Sequence, residues 1–342
     1  MKKLSICILV AAWSLILGSC GDDETYMAEK TLDIAESTVD FWAVGGEGVI
    51  TLNNVNDNVT AESSAGWCTI VGVSAGKISY TVSQNTTMET RTATIYITAS
   101  DATGQVSVTQ AGFFVDYELE TFYAYADNAA FNCDIKFTGD IDITADVDAD
   151  AADWLSCEKV TGGYVVSAGT NTTGEARLGK VSIQAGEMKK VYSFLQYAAT
   201  DFCREWNASY TTATGEAGSG VWSIASTETE GIFSMVMQGE EYNAFQAYYQ
   251  DGAVKIPGYQ YLGQQQGYPL YLGILSASGY PAISADVTYQ LKPCLLADGN
   301  WGLAFVDDGS YSEAISALAV WAVSDGTVAG YWEYYNDVIL SQ

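Results

Sequence analysis

The side chains best suited to hold a ligand are aromatic. Tyr248, Tyr249, Tyr259, Tyr261, Tyr268 and Tyr271 flank the loop Gly263-Gln264-Gln265-Gln266-Gly267, and Trp332, Tyr334 and Tyr335 form a second group. A tyrosine carries a flat apolar face with a polar tip, which suits a sugar ring or a protein partner. Amide side chains supply both donors and acceptors for hydroxyls. The expected ligand-binding set is therefore Tyr248, Tyr249, Tyr259, Tyr261, Tyr268, Tyr271, Trp332 and Tyr335. The competing expectation is a tyrosine-rich barrel wall whose rings serve the core.

Other chemistry is thinly supported. The chain has no histidine, which removes His-based triads, His general bases and His-containing zinc sites. The pairs Glu240-Glu241 and Asp307-Asp308 offer carboxylates for a glycosidase, but neighbours on a strand point to opposite faces. No Gly-x-Ser-x-Gly elbow or phosphate-binding loop is present. The run Asp140, Asp142, Asp146, Asp148, Asp150 alternates with apolar residues and reads as a strand with its acids toward water. As a calcium loop counted from Asp146 it lacks glycine at the sixth position and glutamate at the twelfth, which is Cys157. A protein without catalysis, metal or cofactor is expected. Net charge is −28, from 14 basic and 42 acidic residues, which argues against nucleic acid and against electrostatic docking on anionic lipid. None of the seven cysteines forms a CxxC pair. Cys133 and Cys157 fall in one unit, where a bridge or two small buried thiols are both open.

The elements that must carry these residues begin with a repeat. Asn85–Gln110 and Asn171–Gln196 match at an offset of 86, through Asn85/Asn171, Thr86/Thr172, Thr87/Thr173, Glu89/Glu175, Arg91/Arg177, Ile97/Ile183 and Gln110/Gln196. Ile95, Ile97, Ala99 and Val106, Val108 alternate with polar residues in the first copy. Val181, Ile183, Ala185 and Tyr192, Phe194 do so in the second. Each copy therefore reads as two antiparallel strands joined by a short turn. Trp67 precedes the first copy and Trp154 the second.

A Trp, then Asn-x-x-x-x-x-Arg, then an alternating strand pair closing on Gln resembles the BACON family of small β-sandwich modules in Bacteroidota. The resemblance rests on Trp67, Asn85, Arg91, Gln110 and on Trp154, Asn171, Arg177, Gln196. It covers 31–112 and 113–198, the second diverging at Gln196-Tyr197-Ala198. It implies immunoglobulin-like sandwiches, spacer modules between an anchor and a functional domain, and an association with carbohydrate. The residues themselves point to structural roles: Trp67 and Trp154 to packing, Arg91 and Arg177 to carboxylate or carbonyl partners, and the Asn-Thr-Thr runs to turns.

Residues 199–342 hold 14 of the 23 tyrosines, five of the nine tryptophans and three basic residues, Arg204, Lys255 and Lys292. Short apolar or alternating segments punctuated by Gly, Asn and Asp suggest eight to ten strands in one antiparallel barrel or sandwich. Ser312 to Val323 is also open as the start of a short helix. The expected fold class is all-β: two immunoglobulin-like β-sandwich modules followed by a larger antiparallel β-barrel or β-sandwich domain.

The amino end supplies an address. Lys2 and Lys3 precede an apolar run from Leu4 to Leu17, which reads as a secretory signal and is too short to span a membrane. Leu17-Gly18-Ser19-Cys20 resembles the lipobox of bacterial lipoproteins, which implies removal of residues 1–19 and lipidation of Cys20. Gly21-Asp22-Asp23-Glu24 is similar to the surface-export signal of Bacteroidota lipoproteins, and 20–30 would be an acidic tether. The expectation is a lipid-anchored, non-catalytic outer-membrane protein at the cell surface. Its partners would be the membrane, through Cys20, and a polysaccharide or mucin-type glycan. Alternatives are a protein-binding adhesin or envelope assembly component and, further off, a glycoside hydrolase.

Overall fold

A computed structural model describes residues 30–342 except 54, 56, 57, 75, 100, 101 and 238–241. The leader, Cys20 and the Glu240-Glu241 pair lie outside the described residues. The described chain is all-β, its strands interrupted by short 3-10 turns. It divides into two compact units. One comprises residues up to Asp40 with Gly46–Ser83 and Thr92–Thr109; the other comprises Phe41–Gly45, Gln84–Arg91 and Gln110–Gln342.

The first unit is a sandwich. One five-stranded sheet orders the strands Lys30–Thr31, Ala102–Gln110, Arg91–Ala99 and Val59–Ser63, with Asp40–Phe41 also paired to Ala102–Gln110. The facing sheet orders Ile34–Ser37, Gly46–Leu52, Lys77–Val82 and Cys68–Ser74. Period-two alternation supplies both inner faces: Ile95, Ile97, Val106 and Val108 from one sheet, Ile50, Leu52, Ile78, Tyr80 and Val82 from the other, all buried. The Tyr80 hydroxyl donates to the Thr38 carbonyl.

The second unit opens with a sandwich of the same strand order. Phe122–Tyr125, Met188–Gln196, Arg177–Ala185 and Ile143–Val147 form one sheet. Val115–Tyr117, Phe131–Gly139, Gly163–Ala168 and Leu155–Val160 form the other. The repeat seen in the sequence is thus a repeat of topology, and in both copies the outermost short strand lies parallel to the strand that ends on Gln. The acidic run becomes the strand Ile143–Val147, with Ile143 buried and Asp146 exposed, followed by a 3-10 turn. Cys133 and Cys157 both lie opposite Val166, on the two strands that flank it. Two strand spacings put them about 10 Å apart, too far for a disulfide, and all five described cysteines are free thiols.

The remaining residues close an eight-stranded antiparallel barrel. Glu205–Thr211, Ala217–Ser226, Ile232–Met237, Phe245–Gln250, Ala253–Pro257, Thr288–Leu295, Trp301–Phe305 and Thr327–Ser341 pair in that order, and the last pairs with the first. Eight strands leave an interior that side chains can fill. Trp206, Trp222, Tyr289 and Tyr335 are fully buried there, with Tyr335 set edge-on to Trp222 and Tyr210. The 15-residue last strand outruns the barrel, and its first half continues the sheet through Ile315–Ser324, Tyr268–Ser276 and Gln260–Gln265. Residues 315–324 are strand, not helix, because Leu318, Val320 and Ala322 alternate into the barrel core.

The second sandwich and the barrel share one core. Leu195, Tyr197 and Phe202 belong to the same buried cluster as Trp206, Phe233 and Trp301. The Tyr197 hydroxyl donates to the Gly252 carbonyl at 2.8 Å, and the Tyr249 hydroxyl to Asp127 Oδ1 at 2.9 Å. The border expected at residue 198 falls inside this joint. Asp201 pins it, accepting from the Ala198 and Ala176 amides at 2.7 and 3.0 Å.

Candidate functional site: an aromatic face beside the barrel

The residues that recur at fixed spacing in the two copies are structural. Arg91 Nε donates to Gln110 Oε1 at 2.8 Å, and Arg177 Nε donates to Gln196 Oε1 at the same 2.8 Å. Gln110 Nε2 then reaches the carbonyls of Trp42 and Ala43, and Gln196 Nε2 those of Ala129 and Gly169. The Arg177 guanidinium also lies 4.3 Å from the centre of the Trp154 ring, a cation–π contact. Asn85 and Asn171 are buried and hold their own turns through Thr87 and Thr173. Asn85, Arg91, Gln110, Asn171, Arg177 and Gln196 thus each satisfy backbone or a motif partner, as buried polar groups must.

The carboxylates Asp307 and Asp308 are committed too. They lie in a loop after Trp301–Phe305, not on a strand. Asp307 accepts from the Gly309 and Ile315 amides, both at 2.9 Å. Asp308 accepts from Lys255 Nζ at 2.7 Å, Thr288 Oγ1 at 2.6 Å and the Ser310 amide at 3.0 Å. Burial alone would raise the Asp308 carboxyl, but those hydrogen bonds outweigh it and hold it well below the usual carboxylate range.

The tyrosine set divides. Tyr335 is 1% exposed and belongs to the core, whereas Trp332 is partly buried against that core, at the register shift between Tyr331 and Glu333. Tyr249 is spent on the joint with Asp127 and packs against Phe202. Tyr248 stands apart, opposite Ile232 and Lys255. Tyr268 is exposed at the turn end of the hairpin Gln260–Gln265/Tyr268–Ser276. Gln260 stitches the hairpin to the barrel, exchanging two hydrogen bonds with the Gln246 backbone at 2.7 Å.

Tyr259, Tyr261 and Tyr271 come together. Tyr259 stacks on Tyr271 with ring centres 5.3 Å apart, and Tyr261 meets the same ring edge-on at 5.7 Å. The cluster does not stop there. Tyr261 is opposite Tyr271, Tyr271 is opposite Trp321, and Trp321 is opposite Tyr331. Directly paired residues share a face, so four strands carry one aromatic row, about 14 Å long at the usual strand spacing. Tyr331 adds Tyr334 edge-on at 5.3 Å. Tyr259, Tyr261 and Tyr331 are 58%, 51% and 58% exposed, whereas Trp321 is 4% exposed and forms the floor. Gly273 and Ala319 adjoin Trp321, and a Cβ at Gly273 would stand 2.6 Å from Ala282 O, 2.7 Å from Ile283 Cγ2 and 2.8 Å from Trp321 Cδ1, so residues 282–283 pack against the face beside the buried Trp321. The Trp321 indole N–H has no hydrogen-bond partner. Trp321, Tyr331 and Tyr334 were not in the expected site, since only the strand pairing places them beside Tyr271.

Residues 57–111 match the family described as "BACON: Putative binding domain, N-terminal". That match covers the first copy of the repeat. No curated protein matches the chain. Among solved structures, a three-domain immunoglobulin fragment of titin is 10% identical, covers 77% of this chain and 97% of its own, and has a TM-score of 0.27. A second titin tandem is 10% identical over 49% of this chain and 64% of its own, with a TM-score of 0.33. An endo-fucoidan hydrolase of glycoside hydrolase family 107 is 8% identical over 51% of this chain, with a TM-score of 0.27; the chain spans 29% of that enzyme.

Proposed function

We propose that this protein is a non-catalytic, lipid-anchored protein of the outer-membrane surface that binds glycan through the aromatic face beside its barrel. One observation carries the reading: Tyr261, Tyr271, Trp321 and Tyr331 stand in register across four strands, with the outer rings open to solvent. Exposed rings in a row suit the apolar faces of sugars, and the tyrosine hydroxyls at its edges suit their hydroxyl groups. The absence of catalysis is supported by Asp307 and Asp308, whose oxygens are taken up within their own loop and by Lys255 and Thr288. The anchor is supported by Leu17-Gly18-Ser19-Cys20 behind a basic head and a short apolar run. The two sandwiches then act as spacer or accessory binding units.

A glycan array probed with the whole chain lacking only its leader tests the ligand, and labelled palmitate that enters the wild type but not Cys20→Ala tests the anchor. Binding to no glycan, together with recovery of one stoichiometric envelope protein in a pulldown, would replace this reading with a protein-binding adhesin. The barrel should not be tested as residues 199–342 alone, because that cut exposes the core shared with Leu195 and Tyr197.

A further inference from the structure

The aromatic face sits in chain that carries no formal charge. Residues 256–285 contain thirty consecutive positions without Asp, Glu, Lys or Arg, and 314–324 and 326–332 contain none either. Those stretches hold every residue of the row and the strands Gln260–Gln265, Tyr268–Ser276 and Ile315–Ser324. The setting makes this unusual. Residues 199–342 bear sixteen acidic and three basic side chains, a net of −13, in a protein of net −28.

Of the charges bordering these stretches, Asp325 is exposed in the turn that joins Ile315–Ser324 to Thr327–Ser341, and Glu333 is turned inward. Glu333, two residues past Tyr331, lies opposite Val320, on the core-facing side, where it accepts from the hydroxyls of Tyr335 at 3.1 Å and Tyr242 at 3.4 Å. All three cations of these residues are placed elsewhere. Arg204 lies over Trp206 and Trp301, Lys255 pairs with Asp308, and Lys292 stands opposite Ala304 on a barrel strand outside the row.

From this we infer the ligand class, and the inference rests on the glycan reading above: the face takes a neutral, extended polysaccharide lying across the strands. A uronate, sulfate or sialic acid brought to this face sheds water and finds no cation to pair with, while the surrounding negative field opposes its approach. No Asp or Glu stands in register with the row, so a cationic ligand finds no carboxylate among its rings. A neutral chain gives up little, since its hydroxyls meet tyrosine hydroxyls and water while its ring faces cover the exposed Tyr259, Tyr261 and Tyr331. The open rings at the two ends of the row, Tyr261 and Tyr331, are three strand spacings or about 14 Å apart, so a chain spanning them can stack more than one sugar.

Affinity electrophoresis of the whole chain lacking only its leader decides the matter. Gels carry barley β-glucan, xyloglucan or galactomannan as neutral probes, and alginate, polygalacturonate or chondroitin sulfate as anionic ones. The expected result is retardation by at least one neutral probe, equal at low and high salt because no ion pair is involved. The double variant Tyr261→Ala/Tyr331→Ala should weaken it by about tenfold or more, with an unchanged melting temperature. Retardation by anionic probes alone, abolished in the double variant, overturns neutral selectivity and leaves glycan binding standing. Retardation by a neutral probe that the double variant does not alter overturns the assignment to this face. Retardation by none of the six removes the glycan reading itself, and this inference with it.

Discussion

Asn85 and Asn171 give the sharpest test of the claim that the repeated motif is architecture. The Asn171 amide donates to the Glu175 carbonyl at 2.7 Å and to Asn128 Oδ1 at 3.0 Å; its oxygen accepts from the Thr173 amide at 3.1 Å and hydroxyl at 2.8 Å. Asn85 donates to the Glu89 and Ala111 carbonyls at 2.8 and 3.0 Å and accepts from the Thr87 amide and hydroxyl at 3.1 and 2.9 Å. Each side chain is thus buried with four hydrogen bonds. At about 1 kcal/mol net per bond, less what Thr173 or Thr87 regains by turning to water, either Asn→Ala change costs about 3 kcal/mol. For a unit of this size that lowers the melting temperature by about 6–12 °C. Asn→Asp costs more near neutral pH, because a carboxylate replaces the donor that faced carbonyls. Scanning calorimetry of the two alanine variants measures it. A loss below about 1 kcal/mol in both would refute the reasoning; a loss in one alone would show that the two copies do not share a mechanism.

Removing the partner of Lys255 by Asp308→Asn should cost about 3–5 kcal/mol at neutral pH, since it strands a largely buried ammonium. Because the Asp308 carboxyl is held low in the fold, its contribution is present above pH ~4 and is lost as pH falls further; urea midpoints against pH should show this in the wild type and not in the variant. The Tyr197 phenol is pushed up to about 12, by burial first and the nearby Asp127 second, so its contribution is intact below pH ~10 and disappears as pH rises through 12. Tyr197→Phe should flatten that alkaline limb and cost about 1–2 kcal/mol by stranding the Gly252 carbonyl. Alkylation of the denatured, unreduced chain from residue 21 onward should modify all five cysteines, each free in the fold; recovery of a Cys133–Cys157 peptide would contradict the strand order.

Much of this protein was legible before any coordinates. An offset of 86 with Asn, Arg and Gln in fixed places announced two like modules, because a turn that needs Asn and a strand end that needs an Arg–Gln pair leave the same residues wherever they recur. Period-two alternation marked Ile95, Ile97, Val181 and Ile183 as core, and all four are buried. The eight or more short segments after residue 199 pointed to a closed or stacked β domain, and the barrel follows. These features are local: hydrogen-bond chemistry at a turn and the pleat of a strand act over a few residues.

The aromatic row was not legible in this way. Tyr261 and Tyr271 are neighbours across one hairpin, and their closeness in sequence flagged them. Trp321 and Tyr331 reach them only because the long last strand, having closed the barrel with one half, lends its other half to Ile315–Ser324. The same strand turns Tyr335 inward and Tyr331 outward although they are four residues apart, because the register shifts between Tyr331 and Glu333. So the residue types, the duplicated turns and the lack of charge belonged to the chain as written. Which rings share a face belonged to the tertiary structure, because a pairing shifted by one residue would exchange core for surface along the whole strand.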